Sequence, residues 1–246
     1  MLTEERKSQI LKLVEHNGSV SVQELMTLLD ASESTIRRDL NDLDKKKLLV
    51  KVHGGAVAVS KSITADSYVS SRADLNREKK KKIAQYAAAL IGDDDLVYLD
   101  AGTTTGFIAD YLSCKGTVFV TNAIMHARKL SGMGYRVYMP GGMLKERTEA
   151  LTGTQTCEYL SRFHFTKGFF GTNGVTVKDG FTTPDIQEGT VKETAIRQTE
   201  QRFVLCDGSK FDRVSSVTFA GFSEASVITD ETVPEAYRRY DRLIIV

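Results

Sequence analysis

Five times between Leu96 and Asp207 the chain runs through a short apolar stretch into a polar or glycine-bearing loop. Residues 96–100 lead into AGTTT, 117–120 into Thr121-Asn122, 135–139 into Pro140-Gly141-Gly142, 167–170 into residues 171–174, and 203–206 into Asp207. Phe107, Ile108, Tyr111 and Leu112 continue the first loop as a helix. Strands and helices alternating at these lengths have few solutions, and the expected one is a mainly parallel sheet covered on both faces. Ligands of open α/β sheets lie beyond the carboxyl ends of the strands, so these loops should converge on one crevice.

The loops describe a guest. Gly102 allows close approach of the backbone, and Thr103, Thr104 and Thr105 offer hydroxyls and amides at a helix start, an arrangement that suits phosphate. Asp100, Asn122, Glu188 and Asp207 supply acceptors and amide donors for sugar hydroxyls, with Arg147 and Lys210 as cations. Thr121, Gly141, Gly142 and Asn173 stand in the same loops and join the candidate set. Each residue alone is explained by loop chemistry; together, closing successive strands, they fit a phosphorylated sugar. A dinucleotide fits less well, because no GxGxxG follows the first strand.

The first 57 residues read differently. Ile10, Leu11, Leu13 and Val14 recur at helical spacing after Glu4 and Glu5. Ser21 with Glu24 makes a capping box before Leu25, Leu28 and Leu29. Asp30 and Ala31 make a turn, Ser32 caps a third helix, and Ile36, Leu40 and Leu43 bury it while Ser34, Thr35, Arg37, Arg38 and Asn41 face outward. Residues 48–52 alternate as a strand, and Gly54-Gly55 permits the reversal of a two-stranded wing with Lys51 and His53 near its tip. A short helix entered from a tight turn, with hydroxyls and arginines on its leading turns, has the makings of a major-groove reader, and the wing would meet phosphate. Lys and Arg number nine over residues 1–60, as do Asp and Glu, so charge is placed locally rather than over the whole head. The small footprint calls for a homodimer or homotetramer.

A chain of 246 residues, 41% hydrophobic, holds such a head at 1–57, a serine-rich linker at 58–75 and one full-cored body at 76–246. No apolar run approaches the ~20 residues that span a bilayer, and no signal-like segment opens the chain, so a cytoplasmic protein with no membrane partner is expected. Cys114, Cys157 and Cys206 are odd in number and far apart, and His16, His53, His126 and His164 are scattered, which predicts reduced thiols, no metal site and no cofactor.

Arg6, Ile10, Val14, Ser32, Thr35, Ile36, Arg37, Arg38, Asp39 and Leu40 match in type and spacing the helix-turn-helix signature of the DeoR (deoxyribose-operon repressor) family, which the chain resembles. DAGTTT, VTNA, PGG, GTNGV, GFTTPD with Glu188, and CDGSK resemble the successive motifs of that family's sensor domain, so the likeness spans nearly the whole chain. The resemblance implies a repressor of a sugar operon: a winged helix-turn-helix binding double-stranded operator DNA, and a phosphosugar-sensing body related to ribose-5-phosphate isomerase and CoA-transferase folds. It implies that Ser34, Thr35, Arg37 and Arg38 approach bases or phosphates while Asp39 buttresses the arginines, and that Arg72 and Lys80 can reach the effector phosphate. GTNGV, GFTTPD and residues 145–153, KERTEALTG, look closest to repressors of fructose operons, whose expected effector is fructose 1-phosphate. Gly208 departs from the family pattern, where Ser or His is more usual, and is expected to loosen its loop.

The rival is a sugar-phosphate isomerase on the same scaffold, with Glu188 or Asp207 near Lys210 abstracting a proton next to a carbonyl. An isomerase has no use for a helix-turn-helix head, and Asn173 stands where the related isomerases carry aspartate. The chain is therefore expected not to be an enzyme.

Overall fold

The caps foreseen in the head are formed in the computed structural model, which describes residues 3–17, 19–46, 48–52, 54–58 and 75–246. The chain divides into two compact units, Met1–Ser62 and Ile63–Val246.

In the first unit α1 (Thr3–Asn17) precedes α2 (Val22–Leu29) and α3 (Glu33–Lys45). Ser21 Oγ accepts from Glu24 N at 3.1 Å and Ser21 N donates to the Glu24 carboxylate at 2.8 Å, so two backbone amides at the start of α2 are satisfied reciprocally. Asp30 ends α2 in the left-handed conformation (φ 46°), and Ser32 opens α3 two residues later. Ile10, Val14, Leu25, Leu29, Ile36, Leu40 and Leu43 close over one core. The sheet has three strands rather than the expected two. β1 (Ser19–Ser21) pairs antiparallel with β3 (Gly55–Ala58), which pairs with β2 (Leu49–Val52). A three-residue strand carries too little alternation to be read in advance. Its partner strand depends on Gly55, where a Cβ would lie 2.3 Å from the Val20 carbonyl oxygen.

The second unit is built on the expected parallel sheet, with seven strands. In spatial order they are β15 (Leu243–Ile245), β14 (Ser226–Thr229), β12 (Thr199–Leu205), β9 (Phe165–Gly171), β4 (Leu96–Leu99), β5 (Val118–Thr121) and β6 (Arg136–Tyr138). Two strands and two further small sheets went beyond the five foreseen stretches: β14, β15, the hairpin β7 (Met143–Lys145) with β8 (Ala150–Thr152), and an antiparallel sheet of β10 (Gly174–Thr176), β11 (Gly180–Thr183) and β13 (Val217–Ala220). The helix expected after AGTTT is a single turn, α5 (Thr103–Gly106), followed by a 3-10 turn over Ile108–Tyr111.

Successive strand residues face opposite ways and divide the core in two. Val97, Leu99, Phe119, Phe169 and Leu205 pack under α4 (Arg77–Ala89) and α6 (Ile124–Gly132), through Ile83, Ala84, Ala87 and Leu130. Tyr98, Val120, Phe170 and Val204 pack under α7 (Thr154–Leu160) and α8 (Ile186–Arg197), through Leu160, Val191 and Ala195. From β4 the chain winds outward through β5 and β6, and from β9 it winds the other way through β12, β14 and β15. The neighbours β4 and β9 are therefore the topological switch point, where loops from the two halves diverge and leave a crevice.

Candidate functional site

The head presents α3. Ser34, Arg37 and Arg38 are exposed, and the Ser32 hydroxyl is engaged in the cap, where it accepts from Thr35 N at 3.4 Å and meets the Thr35 hydroxyl at 2.9 Å. Arg37 is tied to Glu33 one turn back at 2.7 Å, whereas Arg38 forms no ion pair among the described residues. Lys51 of β2 donates to Asn41 Oδ1 at 2.8 Å, so the wing and α3 share one surface. Asp39, expected to buttress Arg37 and Arg38, faces inward instead and accepts from Arg6 Nε of α1 at 2.6 Å. The physical reason is helical phase: Asp39 lies three residues beyond Ile36 and four before Leu43, on the buried face with them. Lys7 repeats the link beside it, donating to Asp42 at 2.9 Å. That hydrogen bond raises the Lys7 pKa and lowers that of Asp42. His53 and Arg72 lie outside the described residues.

In the second unit a cleft opens at the carboxyl ends of β4 and β9. It is lined by Ala101, Thr103 and Thr104 after β4, Gly171 to Asn173 at the end of β9, Cys206, Asp207 and Lys210 after β12, and Leu75, Lys80, Thr148, Glu188, Lys192 and Leu205. Lys80 comes from α4 and Glu188 and Lys192 from α8, so the two helical layers that cover opposite faces of the sheet meet here. Seven candidates from the sequence line the cleft: Lys80, Thr103, Thr104, Asn173, Glu188, Asp207 and Lys210.

The other candidates are placed elsewhere. Asn122 is buried and its amide is engaged within the fold, accepting from Tyr98 Oη at 3.1 Å and Ala101 N at 3.2 Å and donating to the Leu151 carbonyl at 3.1 Å. Thr105 is buried and donates to the carbonyls of Asp100 and Gly102. Thr121 accepts from Ala123 N at 3.1 Å. Gly102 shapes the loop and does not line the cleft. Gly141 and Gly142 pack on Thr156, whose hydroxyl donates to the Gly141 carbonyl at 2.8 Å; a Cβ on Gly142 would lie 2.2 Å from it. Arg147 is exposed on the hairpin turn. Asp100 is held behind the cleft in an ion pair with Lys192.

Lys192 and Thr148 were not among the sequence candidates. Lys192 donates to Asp100 and, at 3.0 Å, to the Gly171 carbonyl, while Gly171 N donates to Asp100 at 2.9 Å. One buried pair thus ties together β4, β9 and α8. The signal available was position: Lys192 follows Glu188 by four residues and shares its helix face. Thr148 donates to the Glu188 carboxylate at 2.5 Å, and Lys145 pairs with Glu188 at 3.2 Å and Asp185 at 3.0 Å. Burial pushes the Asp185 carboxyl up, but the Glu188 amide and Lys145 outweigh it and hold it below the usual carboxylate range.

Burial pushes the Cys206 thiol up, with Asp207 adding to the effect, so Cys206 is a protonated, inert part of the wall. Gly208, expected to loosen its loop, instead permits a close crossing: a Cβ there would lie 2.4 Å from Thr232 Oγ1 and 2.5 Å from its carbonyl oxygen. Gly208 N donates to Asp230 at 2.9 Å, and Asp230 pairs with Lys79 at 3.0 Å. Among the described residues no group of three His, Cys, Asp or Glu side chains is placed to hold a metal ion, and no helix is long and apolar enough to cross a membrane.

Residues 6–62 match the DeoR-like helix-turn-helix domain and residues 75–231 match the DeoR C terminal sensor domain. The HTH-type transcriptional regulator FruR of Bacillus subtilis is 40% identical over 100% of this chain and 98% of its own. The HTH-type transcriptional regulator GlpR of Haloferax volcanii is 36% identical over 95% and 92%, and the lactose phosphotransferase system repressor of Staphylococcus epidermidis 32% over 98% of each. A solved ribose 5-phosphate isomerase from Methanocaldococcus jannaschii is similar over 55% of each chain, with 16% identity and a TM-score of 0.40. With both of its domains and its full length matched by regulators, the chain belongs to the DeoR family of transcriptional regulators and is not an enzyme.

Proposed function

We propose that this protein represses a sugar-utilisation operon, specifically a fructose operon, and leaves its operator when a phosphorylated sugar, fructose 1-phosphate, fills the cleft. The observation that carries the reading is the cleft at the switch point, where three ammonium groups (Lys80, Lys192, Lys210) and the hydroxyls of Thr103, Thr104 and Thr148 stand with Glu188 and Asp207. Cations and hydroxyls suit a phosphate, and carboxylates suit sugar hydroxyls. A relative named as a lactose phosphotransferase system repressor supports the sugar class. On the DNA side, Ser34, Thr35, Arg37 and Arg38 read the major groove and Lys51 meets phosphate, with the Ser32 cap setting the first turn of the reading helix. Two heads of a dimer or tetramer take repeated half-sites. Effector releases DNA only through its difference in affinity between the bound and released conformations.

Lys210→Ala tests the cleft. Operator affinity should stay unchanged in a fluorescence titration. Release should demand roughly ten-fold or more extra fructose 1-phosphate, the size of one hydrogen bond to a charged group. Release at the wild-type concentration would remove Lys210 from the site. A thermal-shift series with fructose 1-phosphate, fructose 6-phosphate, tagatose 6-phosphate and glycerol 3-phosphate ranks the ligands.

Arg38→Ala tests the head. With no ion pair among the described residues to give up, Arg38→Ala should cost about 1–3 kcal/mol of operator affinity if Arg38 reads a base, and Arg37→Ala should cost less because Arg37 must first leave Glu33. Unchanged affinity for Arg38→Ala would assign base reading elsewhere.

A further inference from the structure

His126 lies on α6, behind the AGTTT loop. Its Nε2 lies 3.1 Å from the Gly102 carbonyl oxygen, which can only accept, so the ring carries its proton on Nε2. Nδ1 is shut off from solvent and has no hydrogen-bond partner among the described residues. Gly106 leaves room for the ring, because a Cβ there would lie 2.7 Å from Nε2. The ring therefore sits between the two ends of α5, touching the residue before it and the residue that closes it. Those four residues hold Thr103 and Thr104, which line the cleft. An apolar side chain would fill this space without stranding a buried nitrogen, so a histidine here asks for a reason beyond packing. Burial, opposed by the Gly102 carbonyl and helped by the charge of Lys129, lowers the His126 pKa to about 4, and the ring is neutral at pH 7.

We propose that His126 is a positioning residue for effector binding: its neutral Nε2–H holds the Gly102 carbonyl and thereby aims the amides and hydroxyls of Thr103 and Thr104 into the cleft. The Gly102 carbonyl also accepts from Gly106 N at 3.0 Å and Thr105 Oγ1 at 2.9 Å. His126 adds a donor from outside the turn and so fixes the turn against α6. This rests on the cleft being the phosphosugar site. Lys129 strengthens the arrangement from one turn further on, paired with Asp110 at 2.7 Å in the 3-10 turn that follows α5.

The test uses the full chain and fructose 1-phosphate, with operator release and calorimetric binding as readouts. His126→Phe should raise the half-saturating concentration about ten-fold, one hydrogen bond's worth of positioning, with operator affinity unchanged. His126→Gln, whose amide can donate to the same carbonyl, should stay close to wild type. A merely structural histidine predicts the opposite pattern, with Phe tolerated and Gln not, and that result overturns the proposal. Nitrogen NMR of the wild-type imidazole at pH 7 stands independently of how the variants fold: a neutral ring with Nε2 protonated supports the assignment, and a proton on Nδ1 defeats it. If wild type binds none of the sugar phosphates, the cleft reading falls and takes this inference with it; if wild type binds and His126→Phe binds equally well, only this inference falls.

Discussion

Asp39→Ala is expected to unfold the DNA-binding unit while the sensor unit stays folded. Asp39 is 2% exposed, and its carboxylate accepts from Arg6 at 2.6 Å across the interface of α1 and α3. Removing the carboxylate leaves the Arg6 guanidinium, whose side chain is 13% exposed, without its partner. Breaking a buried ion pair from one side costs about 3–5 kcal/mol. The whole unit spans Met1–Ser62, and domains hold roughly 0.05–0.15 kcal/mol per residue, so the loss is comparable with everything the unit has. Operator binding should vanish, and calorimetry should lose the head's transition and keep the body's. A head that melts within about 1 kcal/mol of wild type would mean that water already screens the pair. Replacing both partners by apolar residues of similar volume should restore much of the stability, because no lone charge is then left buried.

Lys192→Ala is the counterpart in the sensor unit. Lys192 and Asp100 are 5% and 2% exposed, and their pair, with Gly171 bonded to both, joins the two halves of the sheet at the switch point. The alanine variant leaves Asp100 with the Gly171 amide and no cation. The expected cost is again about 3–5 kcal/mol, which for a unit of this size lowers the melting temperature by roughly 6–20 °C. Stabilisation by fructose 1-phosphate should be lost as well, since the Gly171 to Asn173 loop would no longer be held against β4. A small shift in melting temperature with effector binding intact would show that the pair neither holds the switch point nor shapes the cleft.

Much of this was legible in the chain before it folded. Ser21 with Glu24 and Ser32 before Ile36 announced the helix starts of the head, because a cap and its helix are written within four residues. The five apolar runs with polar ends announced the parallel sheet, because side-chain alternation and loop chemistry are also local. Part of the cleft's lining was visible too: Thr103, Thr104, Asn173, Asp207 and Lys210 all lie in the segments that leave the strands, and such residues gather wherever a parallel sheet ends.

Partners were another matter. Asn122 follows a strand just as Asn173 does, yet Asn122 is engaged by Tyr98, Ala101 and Leu151. Nothing within a few residues distinguishes the two asparagines; the distinction comes from β4 lying beside β9 at the switch point while β5 stands one strand away. Asp39 could not be assigned to Arg6 rather than Arg37 until α1 had crossed α3, 33 residues distant in sequence. Lys192 found Asp100 across 92 residues. Local periodicity says which face of an element is buried and where that element begins and ends. Which buried charge meets which depends on strand order and helix crossing, set by the packing of the whole core, and that is where the tertiary structure alone decided.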